Sequence, residues 1–224
     1  MPLPAPTPTP VPVPVSVSVG ILRALGVLRD ASSAPRGGWC TIGNMDTAAT
    51  GTTAIPHLDL LDDLLRRVDN ERVVTQPGLV EYGNWEILDR WVVRGTAVDH
   101  WHGERGHGDW TGTTFEQPED AARSIATSAA GQLRARKGLG RGHWLLGRAE
   151  ELPAGFTLAT TYGQTVLDWE LGGTLHRAWF GAPGFVAPAV AFATVARVSV
   201  EEIEQCGLQE DSRGAFAEAS SKAS

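Results

Sequence analysis

Residues 117–138, QPEDAARSIATSAAGQLRARKG, constrain the fold more than any other stretch. Pro118 suits the first helical position, Glu119 and Asp120 fill the first turn, Arg134, Arg136 and Lys137 fill the last, and Gly138 is a stop signal. Ala121, Ala122, Ile125, Ala129 and Leu133 give this helix a narrow stripe of small residues. Such a stripe lets a helix lie flat on a sheet, with its Arg134 and Arg136 end expected in solvent. The chain on both sides alternates apolar and polar residues with a period of two, so the fold expected is α+β: an antiparallel sheet built of meanders, this long helix packed on one face, and short flanking helices.

The remaining elements follow from the same periodicities. In HLDLLDDLLRRVDN, Leu61, Leu64, Leu65 and Val68 keep the spacing of an amphipathic helix. A strand-rich run from Val73 to Val93 is broken at QPG and YGN. Val98 to His102 and Trp110 to Phe115 read as the arms of a hairpin whose tip runs from Gly103 to Asp109. A second meander occupies FTLATTYGQTVLDWELGGTLHRAWF, with turns at YG and GG. The apolar run through Ala189 to Val198 reads as a further strand feeding the helix SVEEIEQCG, in which Ser199 and Glu202 have capping-box spacing. Each half is thus expected to be a meander followed by a helix. The last stretch, residues 209–224, reads as a frayed tail.

Residues 1–54 differ from the rest, because proline at alternate positions in MPLPAPTPTPVPVPV forbids both a helix and a strand ladder. They are expected to form an extended arm, or to reflect a start assigned upstream of Met45, leaving a single domain over 55–208. With 19 basic against 26 acidic residues, the chain is poorly suited to a phosphate backbone, which argues against a nucleic-acid partner. No apolar run reaches the length needed to span a bilayer. Cys40 and Cys206 are too few for a disulfide framework and fit unpaired thiols in a reducing cytoplasm.

The densest cluster of reactive side chains is AVDHWHGERGHGDW. His100 and His102, two apart on a strand, share a face and can point at one ion. A metal site needs further fixed ligands, and Glu104, His107 and Asp109 lie among Gly103, Gly106 and Gly108, which do not preorganise a ligand set. Cys206 sits at a helix end that disfavours its thiolate, and GLGRGHW follows a helix where a phosphate-binding loop would follow a strand. The expectation is therefore of no catalytic set, no cofactor and no metal, with an enzyme using His100, His102 and His107 on a metal, or a generic protein-interaction module, as the alternatives.

ERGHGDWTGTTFEQPEDAARSIATSAAGQLRARKGL, LPAGFTLATTYGQTVLDW and the closing VARVSVEEIE together resemble the antitoxin family that neutralises NAD glycohydrolases of the tuberculosis-necrotizing-toxin class. The matching positions are Phe115-Glu116, Leu133-Arg134 with Arg136 and Gly138-Leu139, Gly155-Phe156 with Leu158, and Val200 to Ile203, across roughly Pro56 to Leu208. The arm, the His/Trp-rich hairpin and the Gly181–Pro188 loop depart from the family pattern, and no functional residue of the family is carried over. The resemblance implies a cytoplasmic immunity protein that binds a cognate toxin and blocks its NAD pocket. Aromatic and arginine anchors dominate such interfaces, which makes Trp101, Arg105, Trp110 and Phe185 the candidate partner-binding residues.

The composition of residues 1–44 cannot offset roughly 1–2 kcal/mol per residue of ordering entropy. Deletion to Met45 should therefore leave the melting temperature unchanged in a thermal melt; a fall of several degrees would show that the arm packs on the domain.

Overall fold

A computed structural model describes residues 53–140, 142–181 and 186–222, all within the compact unit that begins at Ala49. Nearly all of the proline-rich segment, and Phe185, lie outside the described residues. The first helix, α1 (Leu58–Arg66), buries Leu61, Leu64, Leu65 and the following Val68, the four positions that the sequence spacing singled out. Five strands follow as a meander: β1 (Arg72–Gln76), β2 (Leu79–Gly83), β3 (Ile87–Arg94), β4 (Ala97–Glu104) and β5 (His107–Phe115). The long helix α2 (Pro118–Arg136) comes next, then a second meander of β6 (Phe156–Thr161), β7 (Gln164–Leu171) and β8 (Thr174–Phe180). All pairs are antiparallel, and the strand order is β1-β2-β3-β4-β5-β8-β7-β6. This is the α+β architecture that the alternating sequence implied.

The two meanders meet along a very short seam. β5 and β8 pair only at Thr114 with Trp179 and Phe115 with Ala178, prolonged by one bond from the Glu116 N–H to the Arg177 carbonyl. Beyond the seam the strands separate. The core lies on the side that carries Val80, Tyr82, Trp91, Val98, Phe115, Leu167, Trp169 and Ala178. There Phe115 makes ring contacts with Phe180 at 5.8 Å and Phe192 at 4.7 Å, and Trp169 meets Phe192 at 5.6 Å. A single aromatic cluster thus crosses the seam and joins the two meanders beneath it.

Helix α2 is fixed at both ends by buried charge. At its start the fully buried Asp120 accepts from Arg123 at 2.7 Å and from His176 of β8 at 2.7 Å, while Arg123 Nε donates to the Val198 carbonyl at 2.8 Å. At its end, Arg134 was expected to be solvated but is only 6% exposed. Its guanidinium donates to the carbonyls of Gly140, Gly207, Gln209 and Glu210. The reason is the placement of α4 (Val200–Gly207), whose C-terminal carbonyls need donors and converge on this one side chain.

Two further expectations are corrected. The run through Ala189 is helical as α3 (Val186–Ala193), and Val195, Ala196 and Val198 lie in the turn that leads to α4. An apolar run of this length has no periodicity to separate a buried strand from a buried helix, and its alanines favour the helix. The supposed tail contains α5 (Ser212–Lys222), whose Phe216 is fully buried and faces Trp144 at 6.1 Å between ring centroids. Phe216 is the one large apolar residue in an otherwise polar helix, too little for a periodic signal.

Ile125 is fully buried on α2, so Ile125→Asp should destabilise the fold by about 4 kcal/mol or more in chemical denaturation, and a variant that melts like the parent would place this face in solvent. Phe216→Ala should cost about 3 kcal/mol through the cavity that it leaves. An unchanged denaturation midpoint for that variant would return α5 to the status of a tail.

Candidate functional site

The hairpin of β4 and β5 positions most of the residues of interest. Its turn is only Arg105 and Gly106, with φ of 50° and 83°, so the strands run to Glu104 and His107 and the tip is much shorter than the Gly103–Asp109 span expected. Two positive φ values in succession are what a tight right-twisted hairpin turn requires. Gly103 and Gly108 face each other in register, and a Cβ at either would collide with the indole of Trp101. These glycines form the bed on which Trp101 lies. The tip is therefore a paired ribbon packed beneath Trp101 up to its two-residue turn.

Trp101 and Trp110 are also paired in register, which puts both on the sheet face opposite the core. On that face the side chains form a ladder of cations, carboxylates and indoles. Arg72 and Arg90 both pair with the buried Glu81, and the Arg90 guanidinium lies over Trp101 at 4.5 Å. Arg94 lies over Trp110 at 3.7 Å and pairs with Asp99 at 3.5 Å. Arg177 pairs with Asp168 at 2.7 Å and approaches Trp179 at 5.9 Å. At the end near the hairpin tip the surface becomes more apolar, with Trp85 91% exposed and Trp110 41%. The β2–β3 turn that presents Trp85 is held by Asn84, whose side-chain oxygen accepts the N–H groups of Glu86 and Ile87 at 2.8 Å.

The inner face of the same strands carries the titratable cluster. Asp89 of β3 accepts through Oδ1 from His100 Nε2 and His102 Nδ1, each at 2.8 Å, so the two histidines do share a face and converge on one carboxylate. Burial would raise the Asp89 pKa, yet the bonds from His100 and His102 outweigh it and hold the carboxyl below its ordinary value. The His100 ring stacks on Trp91 with centroids 4.2 Å apart. Opposite His100 the β4–β5 register shifts, and Thr111, Gly112 and Thr113 form a bulge around Gly112 at φ 75°. The bulge brings Thr111 Oγ1 within 3.2 Å of His100 Nδ1 and 3.1 Å of the His100 carbonyl. Nearby, burial and the Asp89 charge push the Tyr82 hydroxyl up to about 12, so it stays a neutral phenol, bonded to Ser128 and Trp91.

These groups open into a cavity of about 480 Å³ between the sheet and helices α2 and α3. Small residues of α2, namely Ser124, Thr127, Ser128 and Gly131, line one wall, and Trp91, Trp144, Phe180 and Phe192 line others. The cavity lies where β5 and β8 part beyond their short seam, since Thr111, Thr113, Phe180 and Gly181 all border it.

Of the sequence candidates, Trp101 and Trp110 lie side by side on the outer face and Arg105 is exposed at the turn, while Phe185 lies outside the described residues. His107 pairs with Glu104 near the exposed turn, away from the His100–Asp89–His102 cluster. Among the described residues no group of three histidine, cysteine or acidic side chains is placed to hold a metal ion. The sequence reading passed over Trp85, Asp89 and Thr111. Trp85 follows YGN, a turn signal that marks exposure; the other two acquire partners only through strand register.

No family model matches this chain, and no curated protein matches it. Among solved structures, its fold is similar to that of Rv3902c from M. tuberculosis, with a TM-score of 0.56 at 15% sequence identity over 74% of this chain and 95% of that one. That likeness is one of fold, and the arrangement of sheet and helices is what the two chains share.

Proposed function

We propose that this chain is a cytoplasmic immunity protein that binds a cognate toxin of the NAD-glycohydrolase type and sterically covers its NAD pocket. The observation that carries this reading is the outer sheet face, with Trp85 and Trp110 exposed beside the hairpin and Arg90 and Arg94 stacked on Trp101 and Trp110. Preorganised indoles and guanidiniums are the side chains that dominate protein interfaces, because they bury large areas and lose little conformational freedom. The sequence resemblance to the antitoxin family supplies the class of partner. The acidic balance of the chain, 26 acidic against 19 basic residues, suits a basic partner surface.

The test is inhibition of NAD hydrolysis by a necrotizing-toxin-class enzyme encoded beside this chain's gene. An equimolar amount of the chain should suppress hydrolysis, and uninhibited turnover would reject the reading. The double variant Arg105→Ala, Trp110→Ala should weaken the complex by about 2 kcal/mol or more, measured by calorimetry on a variant shown to be folded. Stoichiometric zinc, nickel or iron in the purified protein that vanishes on replacing His100 and His102 by Ala would favour the metal-dependent enzyme instead.

A further inference from the structure

The inner cavity is chemically unlike the outer face. It is mostly apolar and aromatic, yet it holds a carboxylate with neither lysine nor arginine among the described residues of its walls; Asp89 and His100 are joined there by Tyr82, hydroxyls and apolar groups. Both histidine bonds fall on Asp89 Oδ1, and among the described residues Oδ2 accepts no hydrogen bond. The hydroxyls of Ser124 and Thr113, which border the same cavity, also make no hydrogen bond among the described residues. A core position would be filled by larger side chains, because interiors pack to crystal density. Here α2 presents serine, threonine and glycine to the sheet, and the strands part beside the gap.

From this we infer that the cavity is a binding site for a small organic monocation with a flat apolar body, its ammonium group set against Asp89 and its body among Trp91, Trp144, Phe180 and Phe192. Three physical arguments select a cation. The Asp89 carboxylate is fixed in its ionised form by two N–H donors, and its second oxygen is left to accept. Low-dielectric walls strengthen the attraction between a buried charge and its counter-ion. Aromatic rings attract a cation through their π-faces, and planar groups pack on them. The volume, about 480 Å³, falls within the range of roughly 300–1,000 Å³ found for small-molecule sites. An ammonium presents three donors, and Asp89 Oδ2 and Thr113 from the sheet and the Ser124 hydroxyl from α2 offer acceptors around the same cavity.

The site uses the face of the sheet opposite the proposed toxin contact, so it stands or falls independently of that reading. Phenethylamine is the probe, with phenethyl alcohol and phenylacetate as neutral and anionic bodies of the same shape. Calorimetric titration of the full chain near neutral pH should show saturable binding of the amine and at least about tenfold weaker binding of the alcohol and the acid. Asp89→Asn should lower amine affinity by about tenfold or more, and Ser124→Leu, which fills the cavity from α2 and leaves the carboxylate intact, should also abolish binding. Folding of each variant is checked by circular dichroism; if Asp89→Asn does not fold, the three-probe comparison and Ser124→Leu decide. No amine binding up to about 10 mM, equal affinity for amine and alcohol, preference for phenylacetate, or amine affinity retained in a folded Asp89→Asn variant would each overturn the inference.

Discussion

The buried carboxylate of Asp120 is the interaction on which the architecture depends. It stands at the first turn of α2, accepts from His176 of the second meander and from Arg123, and through Arg123 reaches the Val198 carbonyl that leads into α4. The two meanders share only two residue pairs between β5 and β8, so their backbone hydrogen bonding alone makes a weak hinge. One fully desolvated acid with two partners therefore holds together the long helix, the second meander and the start of the C-terminal helices. Removing one partner of such a group leaves an uncompensated buried charge, which typically costs about 3–5 kcal/mol. Trp169 reinforces the arrangement, its ring 5.2 Å from that of His176.

The sheet meets two different environments with the same strands. On β4, His100 and His102 point inward to Asp89, while Trp101 between them points outward beneath Arg90. Strand alternation alone separates a recognition surface of indoles and guanidiniums from a cavity with one carboxylate. The outer ladder also protects its own charges, because the nearly buried Glu81 is shared between Arg72 and Arg90, and Arg90 extends over Trp101. The two faces are thus organised by different physics: exposed stacking outside, and hydrogen bonds in an apolar enclosure inside.

Much of this was legible in the sequence, for identifiable reasons. The helix over Pro118 carried end signals of charge, proline and glycine, and the strands alternated cleanly, so their types and order could be read. The shared face of His100 and His102 followed from spacing alone. Partnerships set by register were out of reach: Asp89 lies opposite His102 only because the β3–β4 turn takes the residues it does, and nothing local to Asp89 indicates this. The bulge that brings Thr111 to His100 was equally hidden, although Gly112 within TGTT is the residue that permits it. The glycines of the hairpin misled the reading, since they signify flexibility only until Trp101 is seen lying on them. Similarly, the end of α2 looked solvated because an arginine beside Lys137 at a helix terminus usually is, and only the packing of α4 explains its burial.

The bulge between Thr111 and Thr113 gives the hairpin and the seam separate registers. On the seam side Val98 pairs with Phe115 and Asp99 with Thr114; on the tip side Trp101 pairs with Trp110 and His102 with Asp109. The ribbon beyond the bulge is accordingly a modular extension. Adding or deleting one residue on each arm near the turn would keep the strands paired while exchanging their faces at the end, whereas two residues on each arm would preserve the faces and change only the reach. Diversification of this ribbon can therefore proceed in even steps per strand without disturbing the joint between the meanders, so that related chains could approach differently shaped partners from an unchanged core.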